Sequence, residues 1–192
     1  KESSLLVATE ATFRAQFAID CRTHCEVIGI SAAKKTVELK NHATGEVSTE
    51  LYDKLVLSPG AAPIRPPLPG IDLPGIFSVR TVPDAREIRE WIERGSSDST
   101  GEHTGSGFQA LDKTKRAVVV GGGYIGLEMA ENLVHSGLEV TLVEMLDQVM
   151  APLDPECARL VERHLEKNGV RVELNDGVAG FRQTANGSLD VL

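Results

Sequence analysis

The chain has 192 residues, long for one domain and short for two, so its length allows either. Twenty Lys and Arg against 28 Asp and Glu leave a net charge of −8. That balance disfavours nucleic acid or an anionic membrane surface as the main partner, because phosphate binding rests on cationic side chains. With 41% apolar and 25% charged residues the composition is that of a globular protein and excludes a disordered one.

In chain order, Leu5–Ala8 is apolar and Thr9 stands where a helix N-cap would. Phe13 and Phe17 are four apart, as on one face of a short helix. Residues 19–58 read as strands. Val27, Ile28 and Ile30 form one apolar run, Val37 and Leu39 alternate with polar neighbours, and Thr44-Gly45 marks a turn. Leu55-Val56-Leu57 predicts a short buried strand ended by Ser58-Pro59-Gly60. Pro63, Pro66, Pro67, Pro69 and Pro74 then predict an extended, stiff crossing between domains. Asp84 is expected to cap a helix with Ile88, Trp91 and Ile92 inward, stopping at Gly95. Residues 95–107 are rich in Gly, Ser and Thr and predict a mobile surface loop.

From Lys115 the pattern becomes strand–helix–strand. Ala117–Val120 reads as a buried strand, Tyr124–Ser136 as a helix stopped by Gly137, and Val140–Val143 as the second strand. Asp154 is expected to cap a further helix with Cys157, Leu160, Val161 and Leu165 on its inner face. Gly169 ends it, and Val170–Leu174 is the third strand. Val178–Phe181 and Leu189–Leu192, around Asn186-Gly187, give a weaker hairpin signal. Because the sequence stops inside an apparent strand, a fragment is expected.

Gly121-Gly122-Gly123-Tyr124-Ile125-Gly126 carries the strongest functional signal. It follows an apolar strand, opens a helix, and has an acidic residue, Glu144, ending the next strand 18 residues beyond Gly126. That is the context a dinucleotide-binding turn requires. Gly121 permits the tight turn, Gly123 lets the backbone approach a pyrophosphate, and Gly126 lets helix pack on strand. The helix N-terminus offers free N–H groups to the phosphates. Glu144 can accept hydrogen bonds from both ribose hydroxyls, which favours NADH over NADPH. The competing reading is a βαβ unit that binds nothing. Glu128, two residues past Gly126, reads either as a charge on the helix dipole or as a carboxylate near the reactive end of the dinucleotide.

Other chemistry is weakly signalled. Cys21 and Cys25 have CxxxC spacing, which is neither a redox pair nor a zinc knuckle. In a strand they would lie about 13 Å apart, beyond disulfide reach. These two and Cys157 read as structural, and three unpaired cysteines fit a reducing cytoplasmic setting. The five histidines show no metal spacing, and no metal is expected. Ser58 is in no GxSxG elbow, and Arg159 and Arg163 beside Glu162 and Glu166 read as a solvated helix face. No run approaches about 18 uninterrupted apolar residues, so no membrane helix is expected. KESSLLVATE reads as no signal peptide.

Phe13…Phe17, Cys25-Glu26-Val27, Tyr52–Pro63, Pro66–Gly70, Val118–Glu128, Leu142–Glu144 and Gln148–Met150 with Pro152 and Asp154 together resemble the flavin-dependent pyridine nucleotide-disulfide oxidoreductases. The resemblance is strongest to the coenzyme A disulfide reductase, NADH oxidase and NADH peroxidase branch, and spans all but the loop at 95–112. It implies an α/β fold: a Rossmann-like NAD(P)H-binding domain at 83–192, preceded at 1–82 by a β-rich remnant of a FAD-binding domain. It implies that Val27, Ser58, Pro59 and Gly60 lie near the flavin nucleotide, that Tyr124 covers the flavin face, and that Glu128 lies near the nicotinamide. The family's redox cysteine would precede Lys1, so no catalytic residue is expected in this chain, and the isolated chain is expected not to hold FAD. The implied parent is a homodimeric enzyme passing hydride from NAD(P)H to FAD and then to a small-molecule disulfide, thiol or persulfide. A relative reducing oxygen, peroxide or a redox protein is one rival; a non-catalytic NADH sensor, which would not need Ser58-Pro59-Gly60, is another.

Overall fold

The computed structural model describes residues 6–94, 116–185 and 187–192. They form two compact units, Lys1–Ala61 and Ala62–Leu192. In the first, Thr9 starts helix α1 (Glu10–Phe17) through a capping box. Its hydroxyl accepts from the Thr12 N–H at 3.2 Å, and the Thr12 hydroxyl accepts from the Thr9 N–H at 3.4 Å. Phe13 and Phe17 stack one turn apart, with ring centroids 6.2 Å from each other. Strands β1 (Cys25–Ser31), β2 (Thr36–Asn41) and β3 (Val47–Leu51) form an antiparallel meander in that order. Val27 pairs with Leu39 and Ile30 with Val37; a bulge between Val27 and Gly29 absorbs the extra residue. The predicted turn forms on the Asn41 side-chain carbonyl, which accepts from Ala43 and Thr44, with Gly45 at φ 75°. The predicted strand Leu55–Leu57 does not form: the segment pairs with no strand among the described residues, and Val56 is 85% exposed. Apolar composition alone cannot hold an extended segment whose backbone groups lack a ladder partner.

The second unit, Ala62–Leu192, takes in the proline segment. The Pro69 carbonyl accepts from the Phe181 N–H at 2.8 Å, and Phe77 meets Trp91 edge-on at 5.6 Å. Helix α2 (Val82–Arg94) is capped one turn earlier than predicted. Thr81, not Asp84, is its cap: the Asp84 N–H donates to the Thr81 hydroxyl, and the Asp84 carboxylate accepts from the Thr81 and Arg80 N–H groups at 2.7 and 2.9 Å. Asp84 is the reciprocal third residue of a capping box. Those backbone bonds, Thr81's first, hold its carboxyl below the usual 3.8. Gly95 and the segment 95–107 lie outside the described residues.

β4 (Arg116–Val120), α3 (Tyr124–His135), β5 (Glu139–Val143), α4 (Pro155–Lys167) and β6 (Val170–Glu173) follow as predicted to within a residue. The strands are parallel, in the order β4-β5-β6, with Ala117, Val140 and Val170 in register. Val140, Leu142 and Val170 point to one face and form the core with Ala130 and Leu133 of α3 and Leu165 of α4. Gly137 and Gly169, at φ 85° and 87°, turn the chain out of each helix. One face assignment is corrected: Cys157 and Leu160 of α4 are exposed, and Ala158, Val161 and Leu165 turn inward. Ala158 is wholly buried. The closing hairpin pairs β7 (Phe181–Gln183) with β8 (Leu189–Val191), three residues later than predicted at its start. Ala179 and Gly180 donate to Leu192, and the Phe181 N–H is taken by Pro69.

Candidate functional site

The site is built at the end of β4. The Gly121 N–H donates to the Val143 carbonyl at 2.8 Å, carrying the ladder one residue past the strand. Gly121 then adopts φ 104°, a conformation that favours glycine, and reverses the chain into α3. A Cβ on Gly126 would overlap the Gly121 carbonyl oxygen and stand 3.0 Å from its carbon. That contact sets how closely α3 approaches β4. Gly123 behaves differently. It is the N-cap of α3 at φ −84° and ψ −176°, allowed to any residue, and a Cβ there would meet nothing within 4 Å among the described residues. Tyr124 and Ile125 beside it are 67% and 62% exposed. The first N–H groups of α3 therefore open toward solvent without a side-chain cap.

Gly122 is buried and gripped from outside. Its N–H donates to Glu144 Oε2 at 2.6 Å, and its carbonyl accepts from the Met150 N–H at 2.7 Å. Glu144 follows β5 directly, where predicted, and its Oε1 accepts from the Leu146 N–H at 2.9 Å. Val149 and Met150, 0% and 5% exposed, form the outer wall of the turn. The spacing argument did not find them, because nothing in GxGxxG refers to the loop after the second strand.

Glu128 is exposed on α3, but it lies beyond the helix's first turn, which holds no acidic residue. The dipole reading of Glu128 loses its basis there. In the first unit, Val27 sits in β1 at 51% exposure. Ser58, Pro59 and Gly60 are exposed, with Gly60 at φ 76° and open space where a Cβ would be. Cys21 and Cys25 are free and half-buried, and Cys157 is free and exposed. Among the described residues no group of three or more His, Cys, Asp or Glu could hold a metal, and His42 instead pairs with Glu26 at 2.8 Å. No described helix is long and apolar enough to cross a membrane. A cavity of about 370 Å³ lies on the other sheet face, lined by Val118, Thr141, Val143, Arg171 and Glu173. It includes none of the glycine turn.

A sequence profile described as pyridine nucleotide-disulphide oxidoreductase matches residues 2–192. An NADH oxidase of Methanocaldococcus jannaschii is 36% identical over 172 residues, which are 89% of this chain and 34% of that protein. A coenzyme A disulfide reductase of Staphylococcus haemolyticus is 30% identical over 182 residues, 95% of this chain and 37% of the relative. The crystal structure of reduced CoADR-RHD from Bacillus anthracis superposes with a TM-score of 0.81 at 37% identity, covering 100% of this chain and 32% of that one. The chain thus spans about a third of the length of the curated relatives it matches. Its parallel sheet, glycine turn and extended similarity place the chain in the pyridine nucleotide-disulphide oxidoreductase family.

Proposed function

We propose that Gly121–Gly126, the N-terminus of α3 and Glu144 hold NAD(P)H, with NADH favoured, in a flavoprotein oxidoreductase acting on a disulfide or persulfide. One observation carries the reading. Gly123 needs no glycine for its own backbone and has room for a side chain, yet it caps α3 without one. Ser, Asp or Asn would stabilise the helix somewhat better there. Glycine leaves the helix N–H groups, with their partial positive charge, open to an anion. A βαβ unit that bound nothing would require glycine at 121 and 126 only.

The remaining residues fit the same ligand. Glu144 stands where a second-strand carboxylate meets the adenosine ribose, and its ionised form has lone pairs left beyond the two N–H groups it accepts. Exposed Tyr124 and Glu128 lie along the helix toward the nicotinamide end. When bound, NAD(P)H supplies a hydride, and FAD accepts it and passes electrons on; the protein supplies orientation and electrostatics. We assign residues 83–192 to the NAD(P)H domain and 1–82 to part of a FAD domain, with Val27, Ser58, Pro59 and Gly60 beside the flavin nucleotide. We read the complete enzyme as a cytoplasmic homodimer whose substrate is a small-molecule disulfide or thiol. Relatives named coenzyme A disulfide reductase support that substrate class. Relatives named NADH oxidase favour oxygen as a second reading. Anaerobic titration with NADH, then coenzyme A disulfide or oxygen, separates the two by which acceptor restores oxidised flavin absorbance. Failure to bind NADH at all refutes both.

A further inference from the structure

The turn that presents the helix N-terminus is not held by its own segment alone. Gly122 has its N–H on Glu144 Oε2 at 2.6 Å and its carbonyl on the Met150 N–H at 2.7 Å. Glu144 is in turn anchored by the Leu146 N–H on its other oxygen at 2.9 Å. Space around Gly122 is closed as well: a Cβ there would stand 3.1 Å from Val149 Cγ1, 3.2 Å from Glu144 Oε2 and 3.3 Å from Val149 Cα. Met150 reaches its position only by adopting φ 50°, which a non-glycine residue rarely does. The chain from 144 to 150 therefore closes on Gly122 from both of its peptide groups.

We infer that Glu144 and Met150 form a clasp that sets the glycine turn before any ligand arrives, so that Glu144 is a positioning residue for the pyrophosphate site in addition to a ribose acceptor. The two roles use different lone pairs of one carboxylate, which has about four acceptor sites, two of them taken by N–H groups. The clasp itself is a property of the ligand-free chain; what it serves rests on the dinucleotide reading above. Replacing Glu144 therefore weakens every ligand of the turn, including one with no ribose hydroxyl to offer. An acidic residue in this place would otherwise discriminate only between ribose and its 2′-phosphate.

The test uses the complete protein as wild type, Glu144→Ala and Glu144→Gln. Hydrogen exchange in the absence of ligand reads the clasp directly. Exchange of the Gly122 amide should accelerate about 10- to 100-fold in Glu144→Ala, the range expected when a charge-assisted bond to a partly buried N–H is lost. The Leu142 amide of β5 should be unchanged, and Glu144→Gln, isosteric and keeping one acceptor oxygen, should fall between. If Glu144→Ala loosens Leu142 as well, the comparison of Gly122 with Leu142 in Glu144→Gln decides. Binding of ADP and of 2′,3′-dideoxy-ADP reads the consequence. The clasp predicts that Glu144→Ala weakens both, the dideoxy compound by about tenfold. Unchanged Gly122 exchange overturns the clasp. Faster exchange with undiminished dideoxy-ADP binding overturns the positioning role and leaves Glu144 a ribose ligand alone. If neither nucleotide binds the wild type, the dinucleotide reading fails, while the exchange data still decide whether Glu144 sets the turn.

Discussion

Gly126→Ala sets two physical effects against each other. Helix propensity alone favours Ala over Gly by about 0.8–1.0 kcal/mol in a helix interior. Against it, the new Cβ would overlap the Gly121 carbonyl oxygen, and both obstacle and helix are backbone, with no flexible side chain to swing away. Real Cβ contacts do not fall below 3.0 Å, so α3 must retreat from β4 by about 1 Å. Gly121 cannot move instead without breaking its 2.8 Å bond to Val143. Such overpacking costs typically about 1–3 kcal/mol, so the clash offsets or outweighs propensity and the net loss is up to about 2 kcal/mol. For a chain of this size that lowers Tm by up to about 8 °C. The shift also carries the helix N–H groups away from the phosphates, so NADH binding should fall at least about tenfold. Gly123→Ser is the matched control. Its backbone is unstrained and its Cβ meets nothing, so stability should stay within about 0.5 kcal/mol. Its side chain fills the space before the helix end, so NADH affinity should fall all the same. Thermal melts and calorimetric titration with NADH read both variants. A raised Tm in Gly126→Ala, or wild-type affinity in Gly123→Ser, refutes this account of the turn.

Glu144→Ala should narrow the kcat/KM preference for NADH over NADPH, because the wild-type carboxylate meets a 2′-phosphate of roughly −1.5 to −2 charge; an unchanged ratio means that Glu144 is not the discriminator. Leu142→Ala, at a side chain with 0% exposure in the centre of the sheet, should cost about 2–5 kcal/mol in denaturant unfolding, and a loss under about 1 kcal/mol would show that the core collapses around it. The depressed carboxyl of Asp84 stabilises α2 above its unfolded value of 3.8, and that contribution is lost as pH falls through its lower folded value. Asp84→Asn should therefore flatten the decline in stability below about pH 4; parallel acid melts for variant and wild type would show that the cap does not titrate.

The parallel unit was legible because its signals are local. β4, α3 and β5 are a valine run, a glycine turn, a helix stopped by Gly137 and another apolar run, and each boundary is a residue whose backbone requirement is visible in its name. Where a feature depends on a partner elsewhere, the reading failed. Leu55–Leu57 has the composition of a buried strand, but a strand is defined by its neighbour, and composition does not name one. On α4, Cys157 and Leu160 look more apolar than Ala158, yet it is Ala158 that is wholly buried, and the helix's phase against its neighbours, which composition does not give, decides which stripe turns inward. Thr81 and Asp84 are a matching pair for a capping box, and choosing Asp84 as the cap took the acceptor at its third position for its first.

The site divides along the same line. Gly121 and Gly126 are readable as glycines because one needs a positive φ and the other a close approach, both consequences of the segment they lie in. Gly122 matches the variable position of GxGxxG and would be passed over, although it is the most tightly enclosed of the turn's first three glycines. Its enclosure comes from Val149, whose distance in sequence gives no hint of contact, and from a methionine at φ 50°, which no propensity favours. A motif describes the residues that face a ligand and the turn that carries them. It does not describe the wall behind the turn, because that wall can be built by any loop that supplies one N–H and one carboxylate at the right height. Here the chain supplies both within seven residues of the second strand, Glu144 to Met150, so the short loop that carries the proposed ribose acceptor also fixes the glycine turn.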